Sequence, residues 1–341
     1  MKAAVYKGNK TIDIDEVPIP LIADDDVLIK VQACGICGTD VHIYEGAEGA
    51  ADTTPPVILG HEFAGIIEKV GSRVIGLKPG DRVSVDPNNM CGSCYYCRNG
   101  MAHFCENMIG YGTTTNGGFA QYCAVHYKQV YSLGDHISFE EGAMVEPLAC
   151  CLHAIDCCEI KAGSTVMILG GGTIGLNMLQ LAKLAGASTV ILSEPFQEKR
   201  DIAERLGADI VIDPLNQSIE EVLARNGVLR VSTVIECIGL KSTMLDAIKY
   251  AGKNSVAMLF GLGNPNDEIP IKPFEIFKKE VAIKASFINP YTQNRALDII
   301  KSGRIDIKSL LSHTIGLDQL AEVLGDPATR RAGKVIVNPW K

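Results

Sequence analysis

The segment Thr165-Val-Met-Ile-Leu-Gly-Gly-Gly-Thr-Ile-Gly175 runs an apolar strand directly into glycines at 170, 172 and 175 and then into a helical pattern. Little else than a strand, a tight turn and a helix packed on the strand satisfies that order. Glycine at these three places permits the turn, the approach of a pyrophosphate to the backbone, and close packing of helix on sheet. The helix amino terminus then offers free N–H groups to phosphate oxygens. Nineteen residues beyond Gly175, after the next apolar run, stands Glu194. A carboxylate there accepts both hydroxyls of an adenosine ribose and repels a 2′-phosphate, so NAD is expected rather than NADP. Lys199 and Arg200 follow closely, two cations able to tolerate such a phosphate.

Around this turn, strands and helices alternate. Strands are expected at 165–169, 189–193, 210–212, 232–236 and 255–259, with helices at 173–185, 197–206 and 241–251 between them. That alternation implies a parallel sheet covered by helices on both faces. Before residue 150 the pattern differs, with short β-type runs such as 26–32, 63–70 and 81–85 punctuated by glycine and proline. The tail from about 290 returns to a helix at 293–302 and a strand at 334–337. At 341 residues, two domains are expected.

The segment from Cys91 to Cys105 holds four cysteines separated by two, two and seven residues, Cys91, Cys94, Cys97 and Cys105. Four thiolates close a tetrahedral site and leave no exchangeable position, so this lobe is expected to hold a structural zinc. The chemistry must lie elsewhere. Twelve cysteines in a long chain that opens without an apolar leader and small-residue cleavage site fit a reducing compartment, and a cytoplasmic location is expected. Cys123, Cys150, Cys151, Cys157, Cys158 and Cys237 read as small buried hydrophobes. A net charge of −8 argues against nonspecific binding to nucleic acid or anionic membrane, which leaves a small molecule as the expected partner.

Two short segments in the first part carry further chemistry. Cys34-Gly-Ile-Cys37-Gly-Thr39-Asp40-Val-His42 gathers thiols, a hydroxyl and an imidazole in a turn, and Gly60-His61-Glu62 sets an imidazole beside a carboxylate. A catalytic zinc takes about three protein ligands and one exchangeable position, which Cys37, His61 and one glutamate would supply. Asp40 is expected to orient the turn.

Taken with Val145-Glu146-Pro147-Leu148 and the glycine-rich turn, the order of these motifs resembles the zinc-containing medium-chain dehydrogenases over essentially the whole chain. Glu146 stands where the better-known alcohol dehydrogenases carry a cysteine, which is similar to the polyol (sorbitol-type) dehydrogenases and to threonine 3-dehydrogenase. The resemblance implies a GroES-like catalytic domain over 1–150 and 290–341, a structural zinc lobe over about 88–106, and a Rossmann domain over 151–289. It further implies zinc ligation by Cys37 and His61, with Glu62 or Glu146 ligating directly or holding the zinc-bound water.

The implied reaction is hydride transfer from a secondary alcohol, a polyol or sugar alcohol with or without phosphate, to NAD, with L-threonine as the alternative substrate. A noncatalytic nucleotide-binding relative is the other class weighed. Thr39 and His42 would relay the released proton, Ile174 would pack beneath the adenosine, and Lys199 would lie near its ribose. The loops 260–263 and 286–289 resemble those that meet the nicotinamide half. Ile43 and Tyr44 follow His42, and no arginine occurs in 287–289, which departs from mammalian-type sorbitol dehydrogenases. Tyr44 and Asn289 are expected to contact substrate hydroxyls. The resemblance also implies two zinc ions per chain and a homo-oligomer, a dimer or a tetramer.

Overall fold

The computed structural model describes residues 1–47 and 52–341. The chain divides into two compact units, one of residues 1–149, 290–303 and 307–341, the other of residues 150–289 and 304–306. No helix among the described residues is long and apolar enough to cross a membrane.

The sheet of the second unit runs Ile210–Ile212, Thr189–Ser193, Thr165–Leu169, Thr233–Glu236, Val256–Leu259, Ala282–Ala285, and every neighbouring pair is parallel. The first strand in sequence therefore lies inside the sheet, and the chain winds outward from it in both directions, as a doubly wound sheet does. Val166, Met167, Ile168, Val190, Ile191, Val234 and Ile235 are all fully buried. Such continuous apolar runs follow from helices covering both faces. The sequence pattern missed Ile219–Arg225, Pro273–Lys279 and the outermost strand Ala282–Ala285. They are short, and the last two carry little buried surface, so they show no clear period.

In the first unit, the central sheet is ordered Val130–Ser132, Arg82–Val85, Glu62–Val70, Asp26–Gly35, Lys334–Val337, Leu311–Ile315, with Tyr122–His126 also paired to Asp26–Gly35. The chain's last strand thus sits in the interior of this sheet. Val27, Ile29, Val31, Phe63, Ile67, Val83 and Val85 form its core with Phe119. A two-stranded pairing of Asn88–Asn89 with Ile109–Gly110 closes the base of the four-cysteine lobe. Helix Val145–Cys158 runs without a break through the position where the two units divide.

Candidate active site

Antiparallel register assembles the first group of side chains. Gly35, the last residue of Asp26–Gly35, pairs with Glu62, the first residue of Glu62–Val70, so the chain just beyond Gly35 meets the chain just before Glu62. Cys37, His61 and Glu62 each direct one donor atom to a common point, all within 4.8 Å of one another.

Cys37 is the N-cap of helix Gly38–Tyr44, and Asp40 at its third position accepts a hydrogen bond from the Cys37 N–H at 2.8 Å. That contact fixes the turn carrying the thiol. The other Asp40 oxygen lies 3.3 Å from His61 Nδ1, yet neither atom has an aligned hydrogen-bond partner. Burial disfavours the His61 imidazolium, but the charges of Asp40 and Cys37 outweigh it and raise the pKa well above the ordinary value. A carboxylate at one ring nitrogen leaves the opposite nitrogen for a metal. A thiol, an imidazole and a carboxylate converging in one largely buried group fit zinc. Thr39 and His42 are half-buried on the same helix and three residues apart, hence on one face.

Sequence reasoning missed Lys334. Its Nζ lies 2.7 and 2.6 Å from the two Glu62 oxygens and 3.1 Å from the Ile36 carbonyl, and the side chain is buried. Burial opposes its charge, but Glu62, Cys37 and Glu146 together raise the Lys334 pKa above its usual value. The only sequence signal was a lysine opening an otherwise apolar strand. Glu146, in the first turn of Val145–Cys158, is buried and stands outside the three-donor group.

The second cluster, Cys91, Cys94, Cys97 and Cys105, also brings its donor atoms within 4.8 Å of one another. The Cys94 N–H and the Ser93 hydroxyl donate to Cys91 Sγ at 3.4 and 3.6 Å, and the Cys91 N–H donates to Cys105 Sγ at 3.3 Å. Donation from the Ser93 backbone and hydroxyl lowers the Cys91 thiol to about 5, whereas burial and then Cys94 push Cys97 up to about 12. N–H groups aimed at the sulfur of Cys91 favour its thiolate, and four converging thiols with no other donor fit a closed metal site.

In the second unit, Gly170 follows the first strand with φ +102°, and a side chain at Gly175 would collide with the Gly170 carbonyl. Both positions require glycine. A Cβ at Gly172 would meet nothing within 4 Å, and this residue is the N-cap of Thr173–Leu184 with no side-chain cap. The open space and uncapped N–H groups fit a pyrophosphate. Glu194 is buried at the end of Thr189–Ser193, with its oxygens accepting from the Gly171 N–H at 2.7 Å and the Phe196 N–H at 3.1 Å. Arg200 is not available to a phosphate. It donates to the Glu194 and Pro195 carbonyls and to Gln197 at 2.7, 2.8 and 2.6 Å, and pairs with Asp213 at 3.2 Å. Lys199 is half-buried with its Nζ 5.3 Å from the Phe196 ring centroid, and Ile174 is half-buried in the first turn of Thr173–Leu184.

The two residues expected from sequence to contact substrate are both buried. Tyr44 belongs to the apolar core of the first unit, together with Ile43 of the same helix. Asn289 is buried as well.

The model of the alcohol dehydrogenase GroES-like domain matches residues 23–135, and that of the zinc-binding dehydrogenase matches 173–302. D-arabinitol dehydrogenase 1 of Uromyces fabae is 33% identical over 345 residues, covering 99% of this chain and 97% of its own. L-threonine 3-dehydrogenase of Caldanaerobacter subterraneus subsp. tengcongensis is 33% identical over 350 residues, covering 99% of each. A solved structure, described as a zinc-binding dehydrogenase from Sinorhizobium meliloti 1021 bound to NADP, is 42% identical with a TM-score of 0.95, covering 99% of both chains.

Proposed function

Because the chain belongs to the zinc-dependent alcohol and polyol dehydrogenase family, we propose that it oxidises a secondary hydroxyl of a polyol or sugar alcohol, free or phosphorylated, to a ketone, with NAD as hydride acceptor. The convergence of Cys37, His61 and Glu62 within 4.8 Å carries this reading. Zinc, when bound there, supplies Lewis-acid polarisation of the substrate hydroxyl. Cys37 and His61 would hold it, with the carboxylate supplied by Glu62, which converges with them and is held by Lys334, or by the buried Glu146. Asp40 fixes the Cys37 turn and the His61 ring, while Thr39 and His42 on one helix face carry the released proton outward. The four-thiol lobe holds a second zinc.

The buried Glu194 carboxylate and the engagement of the Arg200 guanidinium support NAD over NADP. A 2′-phosphate would meet the carboxylate with only Lys199 to offset it. The relative crystallised with NADP makes this a point to measure. L-threonine is the second substrate reading, supported by the His42-Ile43-Tyr44 order and by the threonine dehydrogenase relative. Thiol ligands and twelve cysteines without a disulfide support a reducing, cytoplasmic setting.

The test combines metal analysis with turnover on a panel of polyols, polyol phosphates and L-threonine, each with NAD and NADP. Two zinc ions per chain and NAD-dependent oxidation of a polyol are expected. One metal and no turnover on any alcohol would leave the noncatalytic reading, and turnover of threonine alone would select the second substrate.

We further propose a homo-oligomer, a dimer or a tetramer. Ala282–Ala285 ends its sheet with one edge unpaired among the described residues, and Ile283, Phe274 and Phe277 nearby are 39, 72 and 77% exposed. An open edge flanked by exposed aromatics favours pairing with a second copy. Sedimentation equilibrium should report at least a dimer, and a monomer at micromolar concentration would overturn this.

A further inference from the structure

Glu236 is a completely buried carboxylate that none of the chemistry above employs. It ends Thr233–Glu236, beside Leu169 in the parallel register, so it adjoins the strand that enters the glycine-rich turn. One oxygen accepts from the Ile238 N–H, the Gly239 N–H and the Thr243 hydroxyl at 2.7, 2.8 and 2.8 Å. The other, Oε2, is buried without a partner and lies 2.6 Å from where a Cβ on Gly261 would sit. Among the described residues no cation pairs with it, so the charge is not locally neutralised.

The order of the sheet says what this charge faces. Glu194 marks the adenosine side at the end of Thr189–Ser193, and the glycine-rich turn after Thr165–Leu169 takes the pyrophosphate. The remaining half of a dinucleotide must then extend in the opposite direction, over the carboxyl ends of Thr233–Glu236 and Val256–Leu259. Ile238, Leu240 and Leu262, at those ends, are 42, 56 and 44% exposed and form an apolar shelf. The carboxylate of Glu236 lies beneath that shelf, tied to its backbone through Ile238 and Gly239.

We propose that Glu236 sets the redox preference of the bound coenzyme, favouring the oxidised form, whose pyridinium is positive, over the neutral dihydropyridine. This rests on the reading of the second unit as a nicotinamide-dinucleotide site. A buried unit charge acting over about 15 Å at an effective dielectric near 20 alters a cation's affinity by about sixfold. The adenosine and pyrophosphate are common to both forms, so their contribution cancels in the ratio of the two dissociation constants.

The experiment measures binding of NAD, NADH and ADP-ribose to the zinc-loaded wild type and to Glu236→Gln, by calorimetry without substrate. Glutamine keeps the acceptor for the three donors and removes the charge. NAD affinity should fall about sixfold relative to NADH, with ADP-ribose affinity unchanged within about twofold. An unchanged NAD-to-NADH ratio would overturn the proposal even if both affinities dropped, since loosened loops weaken both forms alike. Failure of the wild type to bind ADP-ribose would instead overturn the coenzyme reading. Should Glu236→Gln not fold, Thr243→Lys brings an ammonium to the same carboxylate oxygen and should move the ratio in the same direction, and no movement there would be equally fatal.

Discussion

Replacing Lys334 by methionine should destabilise the first unit by about 3–5 kcal/mol, the scale expected when one partner of a buried ion pair is removed and the other charge is left behind. The two Glu62 oxygens lie 2.7 and 2.6 Å from the ammonium, and both side chains are buried, so the variant strands a carboxylate in the core. Methionine matches the aliphatic length of lysine, which keeps the packing loss small. Removing the second charge as well, in Lys334→Met with Glu62→Gln, should recover most of the loss. Urea denaturation of zinc-free protein reads the effect without interference from metal affinity. A single variant within about 1 kcal/mol of wild type, or a double variant no better than the single, would show that the pair is not what holds this corner together.

Withdrawing the metal from the four-thiol lobe should have the second large effect, confined to residues 91–105. Ala102 is the only buried hydrophobic residue in that stretch, and helix Tyr95–Arg98 buries none. A segment with so little apolar burial cannot stay ordered alone, so the metal supplies its stability. Limited trypsin digestion after chelation, or of Cys94→Ser, should cut first at Arg98, while amide protection in Asp26–Gly35 and Thr165–Leu169 persists. If Arg98 stays resistant once the lobe metal is gone, the ring contacts of Tyr96 with Phe104 at 5.9 Å, and not the metal, order the lobe.

The parts legible in the sequence are those whose logic is local. The thiols of the lobe stand within fifteen residues, and Gly170, Gly172 and Gly175 within six, so spacing alone reports the geometry. The central strands are legible because burial on both faces leaves unbroken apolar runs. Lys334 is hidden for the opposite reason: it meets Glu62 across 272 residues, and nothing near either one announces the other. The contact of Asp40 with His61 depends likewise on the register between Asp26–Gly35 and Glu62–Val70. Tyr44 illustrates a different failure. Its place after His42 suggested a substrate contact, but position in a motif does not say which face of a helix turns inward, and here Tyr44 is in the core. Ala282–Ala285 escaped notice because an outer strand with little burial has no apolar pattern to read.

The interior place of Lys334–Val337 in the first unit's sheet also imposes an order in time. A ribosome releases the second unit and the cysteine lobe long before this strand, and domains generally fold as they emerge. Until residue 334 arrives, the sheet lacks an inner member and Glu62 lacks its cation, so the Cys37 and His61 site is unfinished while the lobe, contiguous in sequence, is already complete. The four thiols of the lobe are therefore all present on a nascent chain, whereas the Cys37, His61 and Glu62 group reaches its final form only on a finished one.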